Sequence, residues 1–382
     1  MSVGTRQIPL SKPYLDEREE ELVLEVLRSG RLSLGPAVTR FEEAFAEWVG
    51  ARHAAAVSSG TAGLHLCVRL AGLGPGHEAI TSPFSFVASA NCVLYEGATP
   101  VFADVDPRTL DLDPGAVEAA ITERTKAIIA VDIFGYPCEL DPLRELCEQH
   151  GLALVEDACE ALGAEYRSRR LGSHGHAAVF AFYPNKQMTT GEGGMVVTGS
   201  EEEWLLLKSL SNQGRADTGG WLEHARLGYN YRLSDLAAAL GVAQLEKLDR
   251  LLALRAAVAA RYAELLTSVD GVEPPLADDG DHRRSWFVYP VTLAPGIDRE
   301  RVIEALAAEG IATSRYLPSI HLQPYMRERF GYREGMLPVA EDASRRTLAL
   351  PFFPQLGEED QGKVVDALRR AVENGDVHPS SE

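Results

Sequence analysis

The chain has 382 residues, of which 45% are hydrophobic and 24% are charged, an ordinary balance for a protein with one large and one smaller domain. Its formal net charge of −19 at pH 7 argues against a nucleic-acid partner, since phosphate backbones are bound by basic surfaces. The same charge disfavours an anionic membrane surface, and no apolar run reaches membrane-spanning length.

Helices and strands are predicted to alternate along the first part of the chain. Amphipathic helices are expected at Asp16–Leu27 and Pro36–Val49, followed by a short strand at His53–Ser58 and a helix beyond it. Further strands are expected at Glu78–Thr81, Pro100–Asp104, Lys126–Asp132 and Ala153–Asp157, and helices at Phe86–Glu96, Asp113–Ile121 and Leu140–His150. This alternation predicts a mostly parallel sheet with helices on both faces.

Two features fall where strands of such a sheet end. The turn Ser58–Ala62, sequence SSGTA, lies between a strand and a helix and predicts an anion cradle at the helix N-terminus. Asp157 ends another strand, and ligands of parallel sheets lie beyond the carboxyl ends of the strands. Each feature also has a simpler interpretation, because serine, threonine and aspartate are common helix N-caps.

The stretch Ala177–Val197 carries the clearest chemical signal. An apolar run ends at Pro184, Lys186 follows it, and three glycines (Gly191, Gly193 and Gly194) precede a second apolar run. An ammonium held among apolar walls loses hydration, which favours the neutral amine that forms Schiff bases. An exposed hairpin with a solvated lysine is the alternative, but it requires neither three glycines nor buried arms on both sides.

A second, smaller α/β domain is predicted in the last third of the chain. A leucine-rich helical pattern runs from the predicted N-cap Ser234 to about Leu266 and is interpreted as one helix that links two domains. The elements expected after it are strands at Ser285–Leu293 and Ile311–Arg315 and helices at Arg299–Glu309, Pro338–Arg345 and Glu358–Val372. We therefore divide the chain into domains at residues 1–250 and 251–382.

The five cysteines are scattered and show no metal-ligand spacing. They are expected to be reduced thiols, and no metal site is expected. The N-terminal stretch has no apolar segment typical of a secretory signal, so a cytoplasmic location is expected.

Eight motifs, in order and over nearly the whole length, resemble the DegT/DnrJ/EryC1/StrS family of sugar aminotransferases. They are SGRLSLGP (Ser29–Pro36), SSGTAGLHL (Ser58–Leu66), SPFSFVASAN (Ser82–Asn91), PVFADVD (Pro100–Asp106), VEDACEALGA (Val155–Ala164), FYPNKQMTTGEGG (Phe182–Gly194), GYNYRLSDLAAALG (Gly228–Gly241) and LALPFFP (Leu348–Pro354). The resemblance implies an α/β protein of the aspartate aminotransferase type (fold type I), with a large, mostly parallel seven-stranded sheet domain and a smaller C-terminal α/β domain. It also implies pyridoxal 5′-phosphate (PLP) as cofactor.

The resemblance further implies a role for each matching residue. Lys186 would form the internal aldimine with the cofactor and then shuttle the proton, and Asp157 would keep the pyridine nitrogen protonated. Phe86 would stack on the cofactor ring, and Gly60, Thr61 and Ala62 would hold its phosphate. Asn230 would reach the phosphate of the neighbouring subunit, so that a homodimer would share its active sites.

Two positions differ from the broad family pattern. Ala181 stands where many members have a phosphate-binding serine, so one phosphate contact is expected to be missing or replaced by Tyr183 or water. Glu160 stands where many members have glutamine or histidine facing the phenolic oxygen of the cofactor, and with Asn185 and Lys186 it is most similar to the perosamine-synthase branch. That branch implies transfer of an amino group from glutamate, through a pyridoxamine phosphate intermediate, to C4 of a nucleotide-linked 4-keto-6-deoxyhexose.

Other functions are weighed against this one. Transfer to a 3-keto sugar or an aminocyclitol precursor is the alternative within the family. A non-catalytic regulator on the same fold is the alternative from another class, which the presence of Lys186 and Asp157 disfavours. A dehydratase of the family would have histidine where this chain has Lys186. A dinucleotide-binding oxidoreductase would need a G-x-G-x-x-G turn after its first strand, and the only candidate, Gly72–Gly76, follows a predicted helix and contains Pro75. Both alternatives are therefore rejected.

Residues that contact the substrate are predicted from loops that line the nucleotide-sugar entrance in relatives. For each of them, a plain surface charge is an equal alternative. The candidates are Lys12, Arg31, Arg232, Arg315 and His321.

Overall fold

A computed structural model describes residues 7–216 and 223–375, so the ends of the two predicted domains, at residues 1 and 382, lie outside the described residues. In the described part, the α-helices are α1 (Glu17–Ser29), α2 (Pro36–Val49), α3 (Gly60–Leu70), α4 (Ala88–Tyr95), α5 (Pro114–Ala120), α6 (Leu140–His150), α7 (Glu201–Ser211), α8 (Asp235–Glu246), α9 (Leu248–Leu266), α10 (Arg299–Ala308), α11 (Pro324–Phe330), α12 (Pro338–Arg346) and α13 (Glu358–Gly375). The strands are β1 (His53–Val57), β2 (Glu78–Thr81), β3 (Thr99–Phe102), β4 (Thr125–Val131), β5 (Ala153–Asp157), β6 (Glu165–Tyr166), β7 (Arg169–Arg170), β8 (Ala177–Ala181), β9 (Gly194–Thr198), β10 (Val272–Glu273), β11 (His282–Arg283), β12 (Tyr289–Leu293), β13 (Ser314–Arg315) and β14 (Thr347–Leu350).

The main sheet has seven strands in the order β1-β9-β8-β5-β4-β2-β3. Strand β9 runs antiparallel to both of its neighbours, and the other six strands point the same way. The prediction of a mostly parallel, seven-stranded α/β sheet is therefore confirmed. One consequence decides where the site lies: the carboxyl ends of β1, β5 and β8 meet at one edge of the sheet.

Helices cover both faces of this sheet. Successive side chains of a strand point to opposite faces, and here the side chains on both faces are buried. Phe180 of β8 packs at 5.3 Å between ring centroids against Phe45 of α2, on one face. Val179, the next residue along the strand, belongs instead to the cluster with Leu64 and Cys67 of α3, on the other face. Residues on the two faces of β8 are thus fixed by two separate helix layers, which holds the end of the strand in place.

The second unit is built on a four-stranded antiparallel sheet in the order β10-β12-β14-β13. Its core contains Tyr289 and Leu350 of the sheet, together with Val258 and Tyr262 of α9. The first turn of the same helix contributes Leu248 to the core of the larger sheet. Because α9 takes part in both cores, we propose that the two domains divide near residue 250, within this helix.

Several predicted boundaries are wrong. The single helix predicted from Ser234 to Leu266 is two helices, because Lys247 leaves the helical conformation at φ −117° and its ammonium is bound at 2.7 Å by Asp16 and Glu19. The strand predicted from Ser285 begins only at Tyr289, after Trp286 has taken a positive φ of 56°. The strand predicted at Ile311–Arg315 pairs in the sheet only at its last two residues.

Asp132, at the end of β4, is a buried carboxylate whose charge should affect the free energy of unfolding. It is 0% exposed, Oδ1 accepts a hydrogen bond from the Cys138 N–H at 2.9 Å, and Oδ2 has no partner among the described residues. Burial raises the pKa of this carboxyl well above its ordinary value, and the nearby Glu156 raises it further. Ionised Asp132 therefore costs the folded state free energy as the pH rises from the unfolded pKa towards the folded one.

Asp132→Asn should therefore increase the free energy of unfolding at pH 8 by about 1 kcal/mol, because the amide keeps the acceptor and removes the charge. The gain over the wild type should shrink as the pH falls and Asp132 becomes protonated. Thermal unfolding between pH 5 and pH 8 measures both effects. Asp270→Asn, at an exposed position, is the control, and equal gains at both pH values would contradict a buried-charge cost.

Candidate active site

Lys186 lies in the twelve-residue connection between β8 and β9, where Ala181 and Gly194 are paired across the hairpin. The Lys186 N–H donates to the carbonyl of Tyr183 at 2.9 Å, which closes a tight turn after the strand. Its side chain is only 13% exposed, and Nζ lies 3.5 Å from Glu160 Oε1 and 3.8 Å from the centroid of the Phe287 ring. The lysine is therefore enclosed by one carboxylate and one aromatic face.

Glu160 is itself buried and held in a fixed orientation. Its Oε2 accepts a hydrogen bond from the Phe134 N–H at 3.1 Å, and its main-chain carbonyl accepts one from Gln187 Nε2 at 2.6 Å. Burial raises the pKa of the Glu160 carboxyl, while the charge of Lys186 opposes that rise. Glu160 is therefore a buried carboxyl group that is fixed in orientation beside the Lys186 side chain.

Asp157 ends β5 at the same edge of the sheet and is 5% exposed. Ser89 Oγ donates to its Oδ2 at 2.7 Å, and the Cys159 N–H donates to its Oδ1 at 3.3 Å. Ser85 Oγ lies 2.7 Å from Ser89 Oγ and extends this hydrogen-bonded row. Two donors therefore fix the plane of the Asp157 carboxyl group, whose oxygens can accept a further hydrogen bond.

The turn after β1 presents the N-terminus of α3. Ser59 is the N-cap and accepts a hydrogen bond from the Ala62 N–H at 3.1 Å, while the N–H groups of Gly60 and Thr61 have no acceptor within the helix. A Cβ at Gly194 would lie 2.7 Å from Ser59 C and 2.8 Å from Gly60 N. Only glycine at the start of β9 allows this close approach of the two main chains, which holds the helix N-terminus in place.

Ala181, the last residue of β8, lies close to Gly60 in this turn. A Cβ at Gly60 would lie 2.7 Å from Ala181 Cβ and 2.8 Å from Cys159 Sγ, so small side chains are required there. Ala181 carries no hydroxyl, and Tyr183, named as its possible substitute, is 53% exposed. The expectation of a missing or replaced phosphate contact at Ala181 stays a prediction.

Two further predicted cofactor residues lie at the surface of the site. Phe86, before α4, is 60% exposed, which is unusual for a phenylalanine on an otherwise buried sheet edge. Asn230 is also exposed, in a segment whose neighbour Arg232 pairs with Val57 at the end of β1. Both side chains are thus available to a group outside the core of their own chain.

The predicted substrate contacts do not form one cluster. Lys12 and Arg31 are exposed and form no ion pair with any described residue, whereas Arg232 donates to Asn212 Oδ1 at 2.9 Å. Arg315 is bound through Nε by both carboxylate oxygens of Glu300, at 2.8 and 2.9 Å.

His321 is 0% exposed, and its Nε2 lies 3.0 Å from Glu341 Oε1. Its loop packs against the sheet edge, since the Ile320 N–H donates to the carbonyl of Pro83 at 2.8 Å. The structure therefore does not bring Arg315 or His321 to Lys186 as free groups.

Several contacts around the lysine were not predicted from the sequence. Phe287, Phe134 and Tyr316 come from distant segments, and no local pattern connects them to Lys186. Ser89 could have been found from the sequence, because it follows Phe86 by three residues at the start of a predicted helix. Residues at that spacing lie on one face of a helix.

Other kinds of site receive no support within residues 7–216 and 223–375. No group of three or more His, Cys, Asp or Glu side chains there is placed to hold a metal ion. None of the helices described is both long and apolar enough to cross a membrane. A cavity of about 350 Å³ lies between residues 107–110 and 273–276, and no residue predicted for the site lines it.

Comparison with known proteins gives a consistent result. The model of the DegT/DnrJ/EryC1/StrS aminotransferase family matches residues 13–369. The chain is 40% identical to the spore coat polysaccharide biosynthesis protein SpsC of Bacillus subtilis (strain 168), over 97% of this chain and 98% of that protein. It is 38% identical to the GDP-perosamine synthase of Caulobacter vibrioides, over 96% of this chain and 98% of that protein.

Among solved structures, the PLP form of Spr1654 from Streptococcus pneumoniae superposes with a TM-score of 0.92 at 27% identity, covering 97% of this chain and 99% of that one. The fold and these similarities define a PLP-dependent sugar aminotransferase of fold type I. The chain belongs to the DegT/DnrJ/EryC1/StrS aminotransferase family. The predictions of fold class, enzymatic activity and cofactor are confirmed, and the regulatory alternative is not retained.

Gly194→Ala should disturb the helix N-terminus beside β9, because the added Cβ would overlap the main chain of residues 59–60. We expect the free energy of unfolding to fall by about 1–3 kcal/mol and the purified protein to retain less PLP. Gly362→Ala in α13 is the control, since a Cβ there meets nothing within 4 Å. Wild-type cofactor content in the Gly194 variant would contradict a role of this turn in phosphate binding.

Proposed function

We propose that this enzyme transfers the amino group of glutamate to C4 of a nucleotide-linked 4-keto-6-deoxyhexose. The observation that carries the proposal is the Glu160–Lys186 contact of 3.5 Å on a chain that is 38% identical to a GDP-perosamine synthase. Glu160 is the position at which the sequence resembles the perosamine-synthase branch, and Lys186 is the candidate for attachment of the cofactor.

The residues at the sheet edge fit PLP by their chemistry. The amine of Lys186, the oriented carboxylate of Asp157 and the N-terminus of α3 match the aldehyde, the ring nitrogen and the phosphate of this cofactor. The close main-chain approach at Gly194 and the exposed ring of Phe86 supply a cradle and an aromatic face. PLP, when bound, supplies an electron sink for the carbon from which a proton is removed.

Each protein group has a separate task in this proposal. Asp157, held by Ser89 and Cys159, would hold the ring nitrogen of the cofactor and keep it protonated. Lys186 Nζ takes up and returns the proton that moves during transfer, and the adjacent Glu160 carboxylate stabilises the ammonium when the proton is on Nζ. The buried rings of Phe134 and Phe287 exclude water from this pair.

The proposed substrate carries its sugar on a nucleotide diphosphate, so a protein of net charge −19 needs local cations to bind it. Lys12 and Arg31 are exposed and carry no ion pair within the described residues, which makes them the best supported of the predicted contacts. Arg232 lies beside the end of β1 and is a third candidate. Arg315 and His321 stay predictions of the same kind, and in this structure Glu300 and Glu341 bind them.

The active site is proposed to be shared between two copies of the chain. The tyrosines on either side of Asn230 are both held by side-chain contacts. The Tyr229 hydroxyl donates to Glu96 at 2.7 Å, and the Tyr231 hydroxyl lies 2.9 Å from His65 Nδ1. Asn230 itself is left exposed between them, three residues after Leu227, which is 78% exposed. A rigid segment that displays an amide and an apolar side chain fits contact with a second subunit in a homodimer.

A cytoplasmic location is also proposed. The five cysteines form no disulfide, and four of them are buried thiols. Reduced cysteines are usual in the reducing environment of the cytoplasm.

The substrate proposal is tested with ¹⁵N-glutamate and a panel of nucleotide-linked sugars that carry the ketone at C4 or at C3. We expect ¹⁵N to enter the 4-keto-6-deoxyhexoses fastest, as measured by mass spectrometry of the product. Lys186→Ala should abolish the transfer, and Lys363→Ala, on an exposed helix face, should not. Faster labelling of a 3-keto sugar would contradict the position of amination, and labelling by Lys186→Ala would contradict the role of the lysine.

The shared site is tested by mixing two inactive variants, Lys186→Ala and Asn230→Asp. A mixed dimer then has one site with both lesions and one site with neither, so each mixed dimer should have about one half of the wild-type activity. Equal amounts exchanged at random should therefore recover about one quarter of the wild-type activity in the whole mixture. Native mass spectrometry confirms that subunits exchange. Exchange without any recovery of activity would show that Asn230 acts in its own subunit or not at all.

A further inference from the structure

Arg255, in α9, is a buried cation without a counter-ion. It is 2% exposed, and none of the described carboxylates forms an ion pair with it. Burial lowers the pKa of Arg255 to about 10, so the guanidinium still carries its charge at neutral pH. Such burial is costly, and it is retained mainly where the hydrogen bonds of the group are needed.

The hydrogen bonds of Arg255 all go to main-chain carbonyls around the catalytic lysine. Nη2 donates to the carbonyl of Lys186 itself at 2.8 Å. Nη1 donates to the carbonyls of Phe287 at 3.1 Å and Trp286 at 3.3 Å. One planar guanidinium therefore joins the hairpin of the large sheet to a segment of the second unit.

The joined segment is the one that carries the aromatic wall of the site. The Phe287 ring centroid lies 3.8 Å from Lys186 Nζ. Trp286 has a φ of 56°, which is unfavourable for a residue with a bulky side chain. Two hydrogen bonds to consecutive carbonyls stabilise this turn, and the turn places the ring of Phe287 over the lysine.

We propose that Arg255 is a positioning residue that fixes Lys186 against Phe287 by binding the main chain of both segments with one guanidinium. This inference rests on the proposed role of Lys186 as the lysine that attaches PLP. The fork of donors is essential, because a lysine at this position has a single ammonium and cannot bind three carbonyls in the same geometry.

Arg255→Lys tests the proposal, with Arg261→Lys as the matched control. Arg261 lies on the same helix and binds Gln361 Oε1 at 2.7 Å and the carbonyl of Leu356 at 3.1 Å, away from Lys186. In Arg255→Lys we expect kcat to fall by about 10–100-fold with little change in the KM for the keto sugar, the scale of a small misplacement of a catalytic group. Arg261→Lys should change neither.

A second readout does not depend on turnover. Trace labelling of the PLP-free protein with acetic anhydride, followed by peptide mass spectrometry, measures the accessibility of the Lys186 amine against that of the exposed Lys12. Arg255→Lys should raise the relative labelling of Lys186 severalfold and slow the attachment of added PLP, followed by its visible absorbance. Arg255→Gln, which buries no unpaired charge, should give the same signature if Arg255→Lys folds poorly.

Coupling to Phe287 completes the test. The kcat of the double variant Arg255→Lys, Phe287→Leu should be only slightly lower than that of the worse single variant. Both changes disrupt the same placement of Phe287 against Lys186. Fully additive losses, or wild-type labelling of Lys186 in both Arg255 variants, would overturn the proposal. If Lys186→Ala stays active, the assignment of Lys186 fails instead, and the two failures are thus distinguished.

Discussion

The burial of the Lys186 ammonium between one carboxylate and one aromatic ring is the interaction on which the rest of the site depends. Its side chain is 13% exposed, so it must exchange water for protein partners, and Glu160 and Phe287 supply them. Neither partner is free to move, because Glu160 is bound by the Phe134 N–H and the main chain of Phe287 by Arg255. The amine that is proposed to attach PLP is thus kept in one place by groups that are themselves fixed.

This requirement explains why the lysine lies where the two units of the chain meet. The sheet edge supplies Lys186, Asp157 and the N-terminus of α3, which are ordinary products of a parallel sheet with helices on its faces. The sheet edge itself does not cover the Lys186 side chain on the side that faces away from the sheet. The segment before β12 provides that cover, and α9, which packs in both cores, holds it there through Arg255.

The sequence was sufficient for those parts of the site that obey local rules. Strand ends, a serine N-cap and a glycine-rich turn each have a short pattern, and they correctly predicted the sheet and the places of Lys186, Asp157 and Gly60 on its edge. Long-range contacts have no such pattern. Phe287 and Arg255 lie 101 and 69 residues from Lys186, and only the folded chain shows that they touch it.

Two local errors have the same origin. The break at Lys247 depends on the carboxylates of Asp16 and Glu19 at the start of α1. The late start of β12 depends on a turn at Trp286 that Arg255 stabilises. Helical periodicity and β-propensity do not report such contacts. The burial of His321 against Glu341 could not be predicted for the same reason, since a histidine in a loop is usually exposed.

The attachment of the cofactor to Lys186 is tested most directly by chemical reduction. The purified enzyme with its bound PLP is treated with borohydride, digested and mapped by mass spectrometry. We expect a stable pyridoxyl adduct on the peptide that contains Lys186, and none in Lys186→Ala. An adduct on any other lysine, or an unchanged amount of adduct in the Lys186→Ala protein, would contradict attachment at Lys186.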